Sequence, residues 1–338
     1  MKFNYSKICS NLLKDLPERQ KVVLSRRFGL NLSSAPPVGG WRNGERRETL
    51  EFIGKYYGIT RERVRQIERE GFLRLKPKTK HHQEAFQYFT NYFKIKGGLK
   101  KEDILLEQLG DKKEKNQIYF LLTLGEGFER FAETGDFYPL WATNKNSLVL
   151  AQKIIDSSSN LLSKTEKLLT LKDLNRLHSL SQPVLTSYLE ISKEIKKNSE
   201  DLFGLKDWPE INPRGIKDKA YLVFKKEKNP LHFTEVANLI ESTLPQTVHN
   251  ELIKDYRFVL VGRGIYALKE WGYEEGCVKD IILKVLKENK KFLTKEEILE
   301  KVLKQRLVKE NTILLNLSNK KYFSKTPEGF FTIKIKTV

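Results

Sequence analysis

Cysteine is nearly absent. Only Cys9 and Cys277 occur in 338 residues, far apart and with no Cys or His neighbour at ligand spacing. That excludes a disulfide framework and the usual structural zinc arrangements, and two unpaired thiols fit a reducing compartment. Histidine is scarce too: His81, His82, His178, His232 and His249 form no HExxH or other metal-ligand pattern. His81-His82 sits in a Lys-rich stretch and reads as solvated. No apolar run approaches the ~18 residues of a membrane span. The N-terminal MKFNYSKICSNLLKDLPER lacks the apolar region of a signal peptide, so the expected compartment is the cytoplasm. A Walker A motif is missing, and Gly262-Arg263-Gly264 lacks the further glycine of a dinucleotide fingerprint. No catalytic constellation remains, and the expectation is a protein that is not an enzyme and needs no cofactor.

Positive charge, in contrast, is abundant. Lys and Arg number 62 against 43 Asp and Glu, a formal net charge of +19. Such an excess favours a polyanionic partner, usually nucleic acid, over a plain solubility surface. It is also concentrated: residues 1–80 hold nineteen Lys/Arg against eight Asp/Glu, which is where phosphate contacts are expected. Apolar content of 39% allows cores to form. At roughly 150 residues per domain, the length predicts two or more domains.

Residues 16–30, LPERQKVVLSRRFGL, read as a helix with Pro17 near its first turn, Glu18 favourable to the dipole and Gly29 as stop. The stretch from Asn31 to Arg47 is rich in Pro, Gly and Ser and reads as a loop. A short helix, TLEFIGKYY, is capped by Thr49 and ends at Gly58; Thr60 then caps RERVRQIEREGFLRLK. Two helices joined by a tight turn make a helix-turn-helix, whose second helix enters the major groove. That helix has two faces: Val64, Ile67 and Leu75 with Gly71 on one, and Arg61, Arg65 and Arg69 on the other, flanked by Glu62 and Gln66. Arg donates bidentately to guanine, Gln to adenine, and Glu accepts from cytosine. A merely solvated charged face gives the same pattern, and the chemistry alone leaves both readings open.

The string LPERQKVVLSRRFGL…TLEFIGKYYGITRERVRQIE closely resembles region 4 of sigma-70-family factors over about residues 12–76. The resemblance implies reading of a minus-35-type element in double-stranded promoter DNA. Arg61, Glu62, Arg65 and Gln66 would face bases and Arg63 would lie near phosphates. With Thr60, Arg69 and, in a later segment, Arg263, these make up the expected DNA-binding set. The resemblance also implies docking on the beta flap of the bacterial RNA polymerase core, and a nucleoid-associated location. No segment resembles that family's region 2, and about eleven residues precede the match. The chain is therefore expected not to be a complete sigma factor.

Beyond residue 85 a repeat emerges. Aromatic segments close on Trp141, Trp208 and Trp271, and a fourth ends in GFFTIKI without Trp. Each unit begins helical and finishes with alternating apolar residues around a turn, the order of a winged helix. In the third unit, residues 217–227 form an amphipathic helix with Ala220, Tyr221 and Phe224 inward. Thr234 is expected to cap EVANLIES, Thr247 begins a third helix, and FVLV and IYALKEW flank Gly262-Arg263-Gly264, whose glycines permit positive φ. Over about residues 217–272 it resembles the HARE-type winged helix, a family that includes the delta subunit of bacterial RNA polymerase and modules attached to restriction endonucleases and chromatin proteins. Arg263 at the wing tip can reach a groove, or simply lie in solvent. In the second unit KKNSED leaves only one convincing strand.

The expected fold is mainly α with small β-hairpin wings, a helix-turn-helix followed by tandem winged-helix modules. Its expected divisions are 1–80, 85–143, 145–209, 213–273 and 274–338. Three functions compete. The first is a sigma-factor-like, sequence-specific regulator of transcription initiation acting with RNA polymerase. The second is a non-enzymatic, delta-like polymerase accessory subunit, and the third a recognition subunit of a restriction or defence system. The third helices PVLTSYLEIS and TVHNELIKD carry few basic residues, which assigns units one and two to architectural or polymerase-docking roles and leaves supplementary DNA contacts to units three and four. Oligomeric state is not legible.

Overall fold

The computed structural model describes residues 3–30, 47–240, 243–289 and 292–334. The inter-helix loop expected from Asn31 to Arg47 lies outside the described residues apart from its last position. The chain forms two compact units, Met1–Lys206 and Asp207–Val338. The described residues are mainly helical, with small antiparallel strand pairs.

The first unit opens with α1 (Tyr5–Leu13), α2 (Glu18–Phe28), α3 (Leu50–Tyr57) and α4 (Arg61–Leu75). Their ends follow the expected chemistry. Gly29 and Gly58 both adopt φ 63°, and the Thr49 and Thr60 hydroxyls accept from the amides of Phe52 and Arg63. Pro17 sits one residue before α2, where its missing N–H costs nothing.

Next come α5 (Gln83–Ile95), β1 (Leu99–Lys101), α6 (Glu102–Leu109), α7 (Lys115–Leu124), β2 (Glu129–Phe131) and β3 (Leu140–Ala142). These share a core with the N-terminal helices: Tyr5, Leu12, Leu13 and Phe28 are buried together with Phe89, Phe93, Leu121 and Trp141. The Tyr5 hydroxyl donates to the Leu109 carbonyl at 3.0 Å, Asn116 donates to the Gly29 carbonyl at 3.2 Å, and the Phe28 and Phe120 rings lie 5.3 Å apart. Each such fully buried side chain contributes about 1.5–3 kcal/mol, so part of the hydrophobic support of α2 comes from residues far along the chain. The unit finishes with α8 (Lys145–Thr165), α9 (Leu171–His178), α10 (Gln182–Ile191), β4 (Ile195–Lys197) and β5 (Phe203–Leu205).

The second unit contains α11 (Gly215–Glu227), β6 (Leu231–His232), α12 (Phe233–Leu239), α13 (Pro245–Lys254), β7 (Phe258–Gly262) and β8 (Ile265–Leu268). It continues with α14 (Val278–Glu288), α15 (Lys295–Leu303), α16 (Glu310–Leu317), β9 (Phe323–Lys325) and β10 (Phe331–Ile333). One core forms around Phe224, Val248 and Tyr266 and another around Ile282, Ile298 and Ile313, with a smaller apolar cluster at Val259, Val261 and Ala267.

From α5 onward one order recurs four times among the described residues: helix, short strand or single bridge, two helices, hairpin. The last strand of the hairpin returns to the opening strand, giving sheet orders β1-β3-β2 and β6-β8-β7. In the other two cases a single bridge takes that place, Leu169 to Phe203 and Leu293 to Phe331.

Several local expectations change. The second hairpin has both strands, because Ile195 turns inward and Ile195–Lys197 pairs with Phe203–Leu205. His232, not Thr234, caps α12: its ring accepts from the Thr234 amide, and Glu235 accepts from the His232 amide at 2.8 Å. Thr234 lies inside the first turn. Similarly α13 begins at Pro245, two residues before Thr247, since proline suits a first-turn position. Of the turn glycines only Gly264 takes a positive φ, 72°. Gly262 is required for space, because a Cβ there would stand 2.7 Å from the Leu307 carbonyl oxygen. The tryptophans are also not all equivalent. Trp208 and Trp271 follow strands β5 and β8, whereas Trp141 lies within β3, with its indole donating to Glu102 at 2.9 Å.

Candidate nucleic-acid interface

The α3–turn–α4 pair is built around a tight contact. A Cβ on Gly54 would lie 2.7 Å from the Ile59 carbonyl oxygen, and the Ile59 amide donates to the Gly54 carbonyl at 2.9 Å. A glycine in mid-helix, ordinarily a weak helix former, is what allows the chain to turn so closely. Ile53, Val64 and Ile67 then bury against Val23 of α2, and Gly71 admits Leu24, whose Cδ1 would stand 2.9 Å from an added Cβ. One side of α4 is thereby committed to packing, and its orientation on α2 is fixed.

The opposite side is open. Arg61, Glu62, Arg63, Arg65, Gln66 and Arg69 are all exposed, so the structure brings these expected site residues onto one helix surface. Arg65 donates to both Glu62 oxygens, Nε to Oε2 at 2.8 Å and Nη2 to Oε1 at 2.6 Å. This fork holds the Glu62 carboxyl below its usual range and raises the Arg65 guanidinium. Arg63 Nη1 donates to Gln66 Oε1 at 2.9 Å and stands 4.0 Å from Glu70. In the unbound state, then, Arg63, Arg65 and Gln66 already have side-chain partners along their own helix. Thr60 is occupied as the cap. Arg263 belongs to the other compact unit, exposed at the β7–β8 turn.

Sequence reasoning missed the anchor behind this surface. Arg26 of α2 is 7% exposed and grips Glu48, Nε to Oε2 at 2.7 Å and Nη2 to Oε1 at 3.1 Å. Its guanidinium also stacks over the Tyr56 ring at 3.9 Å. Burial alone would lower the Arg26 pKa, but Glu48, Tyr57 and Tyr56 raise it. Arg27 donates to the Glu48 carbonyl at 2.9 Å and stands 3.5 Å from Glu68, whose carboxyl burial pushes up. These contacts fasten the lead-in to α3, and the flank of α4, to α2. The available signal was Arg26-Arg27 on a helix whose neighbours bury, combined with the adjacent Tyr56-Tyr57.

Among the described residues no group of three or more His, Cys, Asp or Glu is placed to hold a metal ion, and no helix is long and apolar enough to cross a membrane. What α4 offers is a row of planar donors and one amide on a rigidly seated helix, chemistry suited to base edges and phosphates.

Fold and surface together define a helix-turn-helix module with a polar, outward-facing second helix. Residues 12–76 match the family described as Sigma-70, region 4. The chain is also similar to "RNA polymerase sigma factor SigA" of Bacillus sp, 39% identical over 66 residues, which is 20% of this chain and 14% of that relative. The chain thus spans only a small part of that relative's length.

Proposed function

We propose that this chain is a sequence-specific DNA-binding regulator of transcription initiation, sigma-factor-like, acting with bacterial RNA polymerase. The observation that carries the reading is α4, apolar face locked to α2 and α3, the other face exposing Arg61, Glu62, Arg63, Arg65, Gln66 and Arg69. Placed in a major groove, Arg65 and Gln66 read base edges, Glu62 accepts from cytosine while orienting Arg65, and Arg63 contacts phosphate. The likeness of residues 12–76 to region 4 supports a minus-35-type element as target and the polymerase beta flap as a docking partner.

The four recurring units are proposed to be tandem winged helices, the third of HARE type, with the divisions 85–143, 145–209, 213–273 and 274–338. A second role, as a polymerase accessory subunit using these units for protein contacts, is favoured by one observation. The helix of the first unit that would correspond to a recognition helix, α7, buries Ile118, Phe120, Leu121, Leu122 and Leu124, so it builds the core.

Binding titrations on a panel of DNA duplexes test the base-reading assignment. Arg65→Ala or Gln66→Ala is expected to cost about 1–3 kcal/mol on the preferred sequence and to relax base preference. Arg63→Ala is expected to weaken every sequence alike. Equal losses for all three variants on every duplex would overturn the assignment.

A further inference from the structure

At the end of the second unit α16 and the β9–β10 hairpin enclose a groove of about 530 Å³. Its floor is apolar, formed by Leu314 and Leu317 of α16 with Phe323 and Phe331 of the strands. Its rim carries Lys320, Lys325 and Lys334, and among the described residues no Asp or Glu lines it. On the outer side of the same helix Leu315 is 74% exposed. The core of this unit closes beneath the groove: Ile282, Ile298 and Ile313 are fully buried, and Leu317 and Phe323, 3% exposed, form its upper layer, which leaves Leu314 and Phe331 as the open part of the floor. The cleft therefore lies on top of a completed core, with an oily bottom and a cationic edge.

We propose that this groove docks an acidic peptide segment of a partner protein, one that places a Leu-, Ile- or Phe-type side chain on the floor between flanking Asp or Glu residues. Charge complementarity sets the sign: three lysines converge on a cleft free of carboxylates, and an acidic segment both fits them and is steered toward them. The apolar floor requires more than charge, because a purely polyanionic strand would leave Leu314 and Phe331 with nothing to cover them. DNA is the poorer fit for two reasons. A helix that reads DNA protrudes into the groove of the duplex, whereas this surface is concave. And α16, ENTILLNL, carries no Lys or Arg with which to read bases or contact phosphates. The inference is independent of the base-reading role of α4, which lies in the other compact unit.

The test uses the full chain with methyl-labelled leucines and a fluorescein-tagged peptide of about a dozen residues, two leucines and a phenylalanine set among aspartates and glutamates, sized to a groove of this class. Saturable binding is expected, with the Leu314 and Leu317 methyl signals moving. Lys320→Glu, Lys325→Glu and Lys334→Glu together, all exposed and outside the core, are expected to weaken binding roughly tenfold, the combined effect of three surface ion pairs. The same peptide with its apolar residues changed to serine is expected not to bind. The proposal is overturned by any of four results: no saturable binding, binding unchanged in the lysine variant, the same methyl shifts produced by a DNA duplex, or self-association of the chain through this face in place of peptide binding.

Discussion

At the residue scale, polar side chains in this protein are committed to neighbours before any partner arrives. The Arg65–Glu62 fork and the Arg63–Gln66 hydrogen bond pre-order the exposed face of α4 that is proposed to read bases. Both lie in solvent, where such pairs contribute little to stability; their effect is on the direction the donors face. A more buried group reports on pH. His178 Nε2 lies 2.9 Å from the Ser158 hydroxyl, and burial pushes the imidazole below its ordinary value; burial, together with His81, does the same to His82. A depressed folded-state value means that the unfolded chain binds more protons in the window below about pH 6.5, so stability is full above that value and declines as pH falls through the folded value. Thermal melts between about pH 7 and about pH 5 should show this fall, and it should shrink in His178→Gln. A variant that declines as steeply as the parent would remove His178 from the account.

At the element scale, the turn between α3 and α4 rests on Gly54 and Thr60. Helix propensity alone makes Gly54→Ala stabilising by about 1 kcal/mol. The 2.7 Å approach of an added Cβ to the Ile59 carbonyl oxygen reverses the sign, and overpacking against backbone should destabilise by about 1–3 kcal/mol. Thr60→Ala removes the cap of α4 and should cost about 1 kcal/mol. Denaturant unfolding of both variants checks this; a stabilised Gly54→Ala would show that the turn has room to relax. The caps were legible in the sequence, since Thr49, Thr60, Gly29 and Gly58 act within a few residues of themselves. Gly54, the Arg26–Glu48 grip and the His232 cap were not. The first two depend on a partner that only the folded chain supplies, the Ile59 carbonyl across a turn and a carboxylate twenty-two residues on; the His232 cap is local, but it uses a ring nitrogen where the nearby Thr234 hydroxyl is the commoner cap. Strand β4 was missed because KKNSED reads as polar loop, while its pairing is anchored by Ile195 and Phe203.

At the scale of the whole molecule, charge and core organisation point to different divisions of the chain. Nineteen Lys/Arg against eight Asp/Glu mark residues 1–80 as the electrostatic centre. The core of the N-terminal helices, however, runs on through Phe89, Phe93 and Trp141, and a cut after residue 80 would strip Phe28 of its ring contacts with Tyr119 and Phe120. DNA binding should therefore be divided at the boundary between compact units. Residues 1–206 hold 37 Lys/Arg against 25 Asp/Glu and residues 207–338 hold 25 against 18. The excess of the first piece lies almost entirely on the helix-turn-helix side, whereas that of the second is dispersed. The 1–206 piece should keep most of the DNA affinity and show the steeper salt dependence, each released phosphate contact adding roughly 0.9 to the logarithmic slope. Equal affinity and slope in the two pieces would make the later units full partners in DNA binding.

The central claim is that α4 reads base sequence. It is tested most directly by selecting duplexes from a random pool with the full-length protein and with its Arg65→Ala/Gln66→Ala variant. The account predicts that the parent enriches a short motif and that the variant, still binding DNA through phosphate contacts, loses preference at the positions those two side chains read. The same motif enriched to the same degree by both proteins would contradict it.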